Sequence, residues 1–479
     1  MSVLPNSIKL LDIISPIDGS VVQSLHPATA SDVESAVNAA AVAQKVWAQW
    51  TPERRSEAIW QLGTLVEKHA DEIAHLDVKS TGKVLRDALT ETRRAARHAR
   101  YWAGMADKLY GQQLADVPGR LSYTKREPLG VYAVILPWNA PAHSFMARCM
   151  PPLACGNAVI VKPSELSPLS AIRLAALACE AGLPDGLLQV LVGDGAIGGA
   201  LSAHEGVAGV SFTGSPGTGR KILAAAAPTF KKVTLELGGK SPIVVFPDAD
   251  LDSAARAAVI GIVTNAGQIC AASSRLIVHQ DIADAFIADV ARRLSRVVVG
   301  NPLDEATQMG PVVCRRQYDA VQAYIQVGLE EGANLVIGGG RPQGLEDAPG
   351  LYVAPTLFDA GERSLRITKE EVFGPVLTVS RFTSEDQAIQ IGNDTEYGLA
   401  AYVWTSDMAR LIRVTDAIDA GVLLGNSTLV MDSGLPFGGF KGSGLGGAFG
   451  ADAIDGCTRT KRVTIRTAPG PLPSPWPGI

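Results

Sequence analysis

A cysteine surrounded by small residues is the first candidate for chemistry in this chain. Cys270 lies in the segment NAGQICAASSR, residues 265–275, where glycine, alanine and serine leave room for a substrate to reach the sulfur. A cysteine thiolate is a strong nucleophile that forms covalent intermediates. The alternative is a structural thiol, because free cysteine is among the most buried residue types.

Two polar side chains could assist a nucleophile. Glu236 lies between two leucines in TLELGGKSP, and a carboxyl group in apolar surroundings has a raised pKa that suits a general base. Asn139 follows an apolar strand in LPWNAPAHS, and its amide could stabilise an oxyanion. Ordinary alternatives remain open, since Glu236 could face solvent on an edge strand and Asn139 could cap a turn.

Three further segments suggest a bound cofactor or phosphate. Lys162 and Glu165 in VKPSE follow a strand and could contact a ribose, or could form a surface ion pair. Glu371 and Phe373 in KEEVFGPVL precede a Gly–Pro turn. The loop SFTGSPGTGRK, residues 211–221, has the glycine spacing of a P-loop, but its lysine comes one place late and no hydroxyl follows. The loop alone does not decide between a triphosphate site and a dinucleotide-binding turn.

Apolar periodicity predicts the elements that position these groups. Helical spacing begins at Ser31 and Asp32 and continues in further runs at 52–80 and 84–108. From residue 131, short apolar strands alternate with helices, which predicts a parallel α/β sheet with ligands at the carboxyl ends of its strands. Strands are predicted at 131–138, 157–164, 187–193, 206–215, 274–280, 376–382, 399–405, 421–426 and 462–467, and helices at 167–183, from 217, and near 251–265, 281–298 and 315–331.

Two segments interrupt this alternation. Residues 112–128 are predicted to form a projecting hairpin or arm, because glycine and proline flank a short alternating run. The glycine-rich stretch 431–450 resembles a linker in composition, but Phe437, Phe440 and Phe449 predict an ordered loop packed on the body.

Composition argues against several classes of protein. A length of 479 residues suggests two or three domains, and a net charge of −5 gives no general attraction to nucleic acid or anionic membranes. We expect a cytoplasmic protein, because the N-terminus lacks a signal-peptide pattern and no apolar run approaches a membrane span. The six cysteines form no C-x-x-C pair and the seven histidines have no zinc-binding spacing, so no disulfide framework or metal site is expected.

Seven short motifs occur together in the order typical of one family: PWN, KPSE, FTGS, ELGGK, GQIC, EEVFGP and PFGGFK. The chain resembles the aldehyde dehydrogenase superfamily, in its non-phosphorylating, hydrolytic branch, over nearly its whole length. The resemblance implies an α/β fold with a Rossmann-like dinucleotide-binding domain, an α/β catalytic domain and a small β oligomerisation arm. The expected bounds are 1–111 with 129–240, then 241–445, and 112–128 with 446–479 for the arm and C-terminal tail.

The resemblance implies a role for each catalytic candidate. Cys270 would attack the aldehyde carbonyl to give a thiohemiacetal, and Asn139 with the Cys270 backbone N–H would stabilise the oxyanion. After hydride transfer, Glu236 would activate the water that hydrolyses the thioester, and it would help to deprotonate the thiol. The resemblance implies that Lys162 belongs to this catalytic set as well as to the cofactor site.

The same resemblance implies NAD as the cofactor, with its pyrophosphate at Gly214 and Ser215. Lys162 and Glu165 would contact the adenine ribose, and Glu371 the nicotinamide ribose. Glu165 would repel a 2′-phosphate, which favours NAD and leaves NADP as the alternative. The implied cofactor residues are Leu136, Pro137, Trp138, Lys162, Ser164, Glu165, Phe212, Gly214, Ser215, Gly219, Leu237, Gly238, Glu371 and Phe373.

The sequence departs from the family around the substrate. GLGGAFG, residues 444–450, lacks the Arg–Glu pair that the family has more often, and small or polar residues follow Asn139. These departures indicate a roomier entrance for an aromatic or functionalised aldehyde, and His143 and Arg148 could face a substrate carboxylate. The implied substrate residues are Ala140, His143, Ser144, Arg148, Ile269 and Phe437. A homodimer or homotetramer is expected, because the arm alone would leave strand edges unpaired.

Three other functions stay open at this point. A CoA-acylating semialdehyde dehydrogenase would resolve the thioester with CoA, and Glu236 argues against it because a water-activating base serves hydrolysis. A nucleotide triphosphatase would need the missing Lys-Ser/Thr pair. A non-catalytic binding or structural protein on the same fold is disfavoured by the intact set of Cys270, Glu236 and Asn139.

Overall fold

The computed structural model describes residues 10–115, 117–470, 472, 475 and 476. Its helices are α1 (Ala30–Gln49), α2 (Pro52–Lys68), α3 (Ala70–Thr81), α4 (Leu85–Ala103), α5 (Pro141–Ala154), α6 (Leu169–Glu180), α7 (Gly195–Ala203), α8 (Pro216–Ala226), α9 (Leu251–Val263), α10 (Gln280–Leu294), α11 (Arg315–Glu330), α12 (Arg366–Lys369), α13 (Glu385–Asn393), α14 (Met408–Ala417) and α15 (Ala453–Cys457), with 3-10 turns at Ala227–Thr229 and Thr264–Gly267.

The strands number from the same end of the chain. They are β1 (Leu11–Ile14), β2 (Val21–Leu25), β3 (Arg120–Pro128), β4 (Val131–Ile135), β5 (Ala158–Lys162), β6 (Leu188–Val190), β7 (Val207–Thr213), β8 (Lys232–Glu236), β9 (Pro242–Val245), β10 (Arg275–His279), β11 (Asn334–Ile337), β12 (Thr356–Asp359), β13 (Val376–Phe382), β14 (Tyr397–Gly398), β15 (Ala400–Trp404), β16 (Val422–Gly425), β17 (Phe440–Lys441), β18 (Gly444–Leu445) and β19 (Thr458–Arg466). Each strand predicted from the sequence overlaps one of these.

The N-terminal helices differ from the sequence prediction at two points. α1 is capped by Thr29, whose backbone N–H donates to the Asp32 carboxylate over 2.7 Å while its hydroxyl accepts the Asp32 N–H. The helix therefore begins beside Thr29, ahead of the predicted start at Ser31. The run predicted at 52–80 is two helices, α2 and α3, because the chain turns at His69.

The first sheet has the order β18-β8-β7-β4-β5-β6, and its five strands from β8 to β6 are parallel. All residues of β4 and β5 are buried, as expected for parallel strands covered on both faces. After β4 the chain adds β5 and β6 on one side of that strand, and then β7 and β8 on its other side. The strand order therefore reverses between β4 and β7. Doubly wound sheets bind ligands at this switch point, beyond the carboxyl ends of the strands. The predicted α/β fold class is confirmed.

The second sheet has the order β11-β12-β13-β10-β9-β15-β16 and is parallel except for the edge strand β11. The chain crosses from the first sheet to the second within residues 237–241, because β8 ends at Glu236 and β9 begins at Pro242. Cys270 lies shortly before β10, and Glu371 shortly before β13. The carboxyl ends of the first sheet therefore meet the amino ends of the second.

The glycine-rich stretch is ordered, with one exception to the prediction. Phe437 and Phe449 are buried, and the backbones of Phe437 and Ala448 exchange two hydrogen bonds of 2.7 and 2.8 Å. The prediction that Phe440 packs on the body is wrong, because Phe440 lies on the short strand β17 and is 53% exposed.

The arm is a two-stranded ribbon. β3 pairs antiparallel with β19 along nine residues of each strand, from Arg120 with Arg466 to Pro128 with Thr458. The bounds of the three predicted domains stay a prediction. In the described ranges, no helix is both long and apolar enough to cross a membrane.

Candidate active site

Three residues in the left-handed backbone region precede Cys270. Asn265, Ala266 and Gly267 have φ angles of 52°, 53° and 69°, and the two residues with side chains pay roughly 1–3 kcal/mol each for that conformation. A Cβ on Gly267 would lie 2.1 Å from the carbonyl oxygen of Gly374, so only glycine fits there. Strain of this kind persists only where the surroundings enforce it, as at functional loops.

Side-chain hydrogen bonds hold the backbone of residues 265–267 in this left-handed conformation. The amide of Gln268 donates to the Asn265 carbonyl and accepts the Val313 N–H, both over 2.9 Å. Asn139 donates one amide hydrogen to the Gln268 carbonyl over 2.9 Å. The second amide hydrogen of Asn139 and the backbone N–H of Cys270 have no acceptor among the described residues. Asn139 and Cys270, which line the same two cavities, therefore each keep one N–H without an acceptor.

The thiol of Cys270 is held in its protonated form. Burial raises its pKa to about 12, and the charges of Glu236 and Glu371 act in the same direction, while Arg148 opposes them. A thiol with this pKa needs a nearby base before it can attack, since the thiolate is the nucleophile. The side chain is nevertheless partly exposed, because it opens onto cavities.

Glu236 is the carboxyl group whose charge acts most strongly on Cys270, and it has the properties of such a base. It ends β8, is 2% exposed, and has no hydrogen-bond partner of good geometry on either carboxylate oxygen within the described residues. Burial raises its pKa to about 8, and the charge of Arg148 opposes this rise. Nη1 of Arg148 lies 3.8 Å from Oε1 of Glu236. The edge-strand alternative for Glu236 is wrong.

Two cavities meet at Cys270. One has a volume of 310 Å³ and extends among α4, α5 and α9; the other is a groove of 700 Å³ along the carboxyl ends of the first sheet. Both are lined by Pro137, Asn139, Thr213 and Cys270. A reactant in the first cavity and a second one in the groove can therefore reach the same sulfur.

Nearly all residues predicted to hold the cofactor line the groove. Those that line it are Leu136, Pro137, Trp138, Lys162, Ser164, Glu165, Phe212, Gly214, Ser215, Leu237, Gly238, Glu371 and Phe373. Gly219 does not line it, because it lies beneath the loop, where a Cβ would be 2.9 Å from Leu237. The sequence reasoning missed one wall of the groove, formed by Gly195, Gly198, Gly199 and Ser202 of α7. The glycine-rich start of α7 is the sequence feature that could have indicated this wall.

Charged groups at both ends of the groove are fixed by short contacts. Nζ of Lys162 lies 3.1 Å from Oε2 of Glu165, so this pair borders the groove and is not an ordinary surface pair. Glu371 accepts the Gly239 N–H over 2.9 Å. A Cβ on Gly238 would lie 2.2 Å from the Glu371 carboxylate, which explains the glycine at that position.

The loop that begins at Gly214 is the N-terminus of a helix. The Ser215 hydroxyl accepts the Thr218 N–H and caps α8, and both residues line the groove. The backbone N–H groups at such an N-terminus favour an anionic ligand. The loop thus lies at the switch point of a dinucleotide-type sheet, and the P-loop spacing is coincidental.

The smaller cavity collects all six predicted substrate residues, namely Ala140, His143, Ser144, Arg148, Ile269 and Phe437. His143 is engaged with His98, the two Nε2 atoms being 3.1 Å apart, and burial holds the pKa of both rings well below the usual range. Phe449 packs 4.7 Å from His98, ring centre to ring centre, and lines the cavity too. Sequence reasoning missed Phe449, and it missed Arg94 of α4, which lines the same cavity.

The aldehyde dehydrogenase family model matches residues 3–463 of this chain. The chain belongs to the aldehyde dehydrogenase family. It is 41% identical to an aldehyde dehydrogenase of Davidiella tassiana over 461 residues, which are 96% of this chain and 92% of that relative. The predicted family is therefore confirmed.

Solved aldehyde dehydrogenase structures share the fold. PnpE from Pseudomonas sp. WBC-3 is 38% identical with a TM-score of 0.95, covering 97% of this chain and 96% of that one. PnpE has also been solved in complex with nicotinamide adenine dinucleotide. Betaine aldehyde dehydrogenase from Staphylococcus aureus, in complex with NAD⁺, is 35% identical with a TM-score of 0.94, covering 97% of this chain and 93% of that one.

Family membership confirms the predicted enzyme class. This aldehyde dehydrogenase is an oxidoreductase that oxidises a small-molecule aldehyde with a nicotinamide dinucleotide. The triphosphatase and the non-catalytic protein are thereby set aside.

Proposed function

We propose that this aldehyde dehydrogenase uses NAD to oxidise its substrate to the free carboxylic acid, with Cys270 as the nucleophile and Glu236 as the base for hydrolysis. One observation carries the proposal: Cys270 lies where the smaller cavity and the groove meet. The aldehyde enters the smaller cavity, and the dinucleotide lies in the groove.

The first step forms a bond between the Cys270 sulfur and the aldehyde carbon. Because the thiol has a high pKa, its proton passes to a base, and Glu236 is close enough for its charge to act on the thiol. The carbonyl oxygen becomes an oxyanion, which the free amide hydrogen of Asn139 and the Cys270 N–H stabilise. Lys162, 3.1 Å from Glu165, positions the ribose rather than the reacting atoms.

The groove fits NAD in shape and in charge. NAD, when bound there, supplies the acceptor for the hydride that leaves the covalently held aldehyde carbon. The N-terminus of α8 at Ser215 suits the pyrophosphate, and Glu371 and Phe373 line the end of the groove that contains Cys270. The Glu165 carboxylate would repel a 2′-phosphate, which supports NAD over NADP. The thioester left on Cys270 is then the substrate for hydrolysis.

Glu236 serves the second half of the reaction. Its ionised carboxylate takes a proton from water, the hydroxyl oxygen bonds to the thioester carbon, and the acid leaves as the Cys270 sulfur is released. A pKa of about 8 places the carboxylate close to the working pH, where a general base is most effective. Arg148 favours the ionised form from 3.8 Å away.

Replacing Arg148 by methionine is expected to move the rise of kcat with pH to higher pH. Arg148 stabilises the carboxylate of Glu236, so its loss raises a pKa that already lies at about 8. An opposite charge at this distance shifts a carboxyl pKa by roughly one unit or more, so kcat at neutral pH falls about tenfold and recovers in alkali. The kcat–pH profile measures the shift, and Arg148→Lys, which keeps the charge, should shift less. An unmoved midpoint in Arg148→Met would contradict this role.

The proposed reaction is tested by NADH formation at 340 nm with a panel of short aliphatic, aromatic, ω-carboxy and ω-amino aldehydes. We expect turnover with NAD in the absence of CoA, and an acid as the product. Turnover that requires CoA would overturn the hydrolytic route in favour of acylation. Absence of turnover with every aldehyde would overturn the proposed function.

We also propose a homodimer or homotetramer, without partners among nucleic acids or membranes and with a cytoplasmic location. The β3–β19 ribbon supports oligomerisation, because its region exposes Leu114, Val117 and Ile465. A fully active monomer in analytical ultracentrifugation would contradict it.

A further inference from the structure

One face of α4 forms a polar wall of the substrate cavity. Asp87, Thr90, Glu91 and Arg94 line the cavity together, at the i, i+3, i+4 and i+7 spacing of a single helix face. Other parts of the cavity lining, at Ile243, Ile269, Phe437 and Phe449, are apolar. A substrate with one apolar part and one polar group matches this division.

The arginine on this wall is Arg94. Its side chain is half-buried, and within the described residues it takes part in no ion pair or hydrogen bond. Arg148, the other arginine of the cavity, lies against Glu236. Arginine presents five donors in a planar fork that suits a carboxylate, so an unpaired guanidinium in a substrate cavity is an anion-binding group.

The two carboxylates of the wall are already paired with cations. Glu91 forms an ion pair with the buried Lys83, and Asp87 lies 3.4 Å from Arg86. The charge of Glu91 also acts on Arg94, but Glu91 is held in its ion pair with Lys83, so Arg94 is the charge on this wall that has no hydrogen-bonded counterion among the described residues. His143 lines the same cavity, and burial holds its pKa well below the usual range, with the charges of His98 and Arg94 acting in the same direction.

We propose that the preferred substrate is an aldehyde with a carboxylate at its far end, held by Arg94 while its aldehyde group reaches Cys270. This inference rests on the proposed function and adds the substrate class to it. A cavity of 310 Å³ is at the small end of ligand sites, which favours a compact semialdehyde over a long-chain or polycyclic one. The carboxylate-binding residue differs from the two suggested by the sequence, because Arg148 and His143 are engaged elsewhere.

The test compares aldehydes of matched length. Initial rates with NAD are measured for 4-oxobutanoate, butanal and 4-aminobutanal, and for 5-oxopentanoate and pentanal. We expect the wild-type kcat/KM to be at least about tenfold higher for the carboxylated member of each pair, the effect of one charge-assisted hydrogen bond or more. A preference for butanal and pentanal, or for 4-aminobutanal, would overturn the proposal.

Variants then assign the preference to Arg94. Arg94→Met and Arg94→Gln should lower the ratio of kcat/KM for carboxylated over uncharged aldehydes by about tenfold or more, and Arg94→Lys should lower it less. The matched control is Arg97→Met, which removes an exposed arginine one turn further along α4, outside the cavity, and should leave the ratio unchanged. An unchanged ratio in the Arg94 variants would overturn the proposal while leaving the proposed function intact. A wild-type enzyme inactive on every aldehyde would overturn both.

Discussion

Replacing Cys270 by alanine is expected to lower kcat at least about 10⁴-fold, to the background of the assay. The reason is that the aldehyde carbon cannot give up a hydride until a nucleophile has added to it. Alanine removes the sulfur but keeps the strained loop, because Asn265 and Gln268 are held by backbone and side-chain hydrogen bonds that do not involve the thiol. NADH formation with the best aldehyde of the panel measures the loss.

A matched control separates this role from a general need for thiols. Cys179→Ala removes a solvent-exposed cysteine from the end of α6 and should leave kcat unchanged. NAD binding to Cys270→Ala, measured by calorimetry, should persist, because most of the groove is formed by other residues. Wild-type turnover in Cys270→Ala would show that the oxidation does not pass through this sulfur.

Replacing Glu236 by glutamine is expected to lower steady-state kcat by about 10²–10⁴-fold, the contribution of a general base. The two halves of the reaction should respond differently. Hydrolysis of the thioester loses its base, so acyl-enzyme accumulates after one turnover. Stopped-flow measurement should therefore show a burst approaching one NADH per active site, followed by a slow steady rate. The burst itself is slower than in the wild type to the extent that Glu236 also accepts the thiol proton.

The comparison variant is Glu371→Gln. Glu371 is a second carboxyl group, half-buried, whose charge acts on Cys270, but it lines the groove and accepts the Gly239 N–H. Its loss should slow the burst and leave no accumulated acyl-enzyme, because it acts before hydrolysis. Equal burst behaviour in the two variants would contradict the separate roles.

The sequence predicted the strands of the first sheet and most residues that line the groove beside it, because the physical signals there are local. Buried parallel strands such as β4 and β5 consist of continuous apolar residues, and the polar groups at their carboxyl ends face one crevice by the geometry of the sheet. Asn139, Lys162 and Glu165 follow directly from that rule. Ser215, at the cap of α8, follows from the same strand-to-helix turn.

Other parts of the site depend on distant contacts and could not be predicted in this way. Cys270 and Glu371 lie at the amino ends of strands in the second sheet, where the carboxyl-end rule gives no indication. Arg94 belongs to a helix with several arginines, and only the packing of α4 beside α5 selects which of them lines the cavity. Phe440 was expected to be buried because it is aromatic, but strand β17 is exposed at that position.

The central claim is that the aldehyde is oxidised while it is bonded to the Cys270 sulfur, and that water activated by Glu236 then releases the acid. The most direct measurement is intact-protein and peptide mass spectrometry of Glu236→Gln after mixing with NAD and the best aldehyde. We predict one acyl group per chain, which increases the mass of the protein by the mass of the aldehyde minus two hydrogens. The group should lie on the peptide that contains Cys270 and be absent when NAD is left out. An unmodified Cys270 in enzyme that has released a burst of NADH, or an acyl group on another cysteine, would contradict the account.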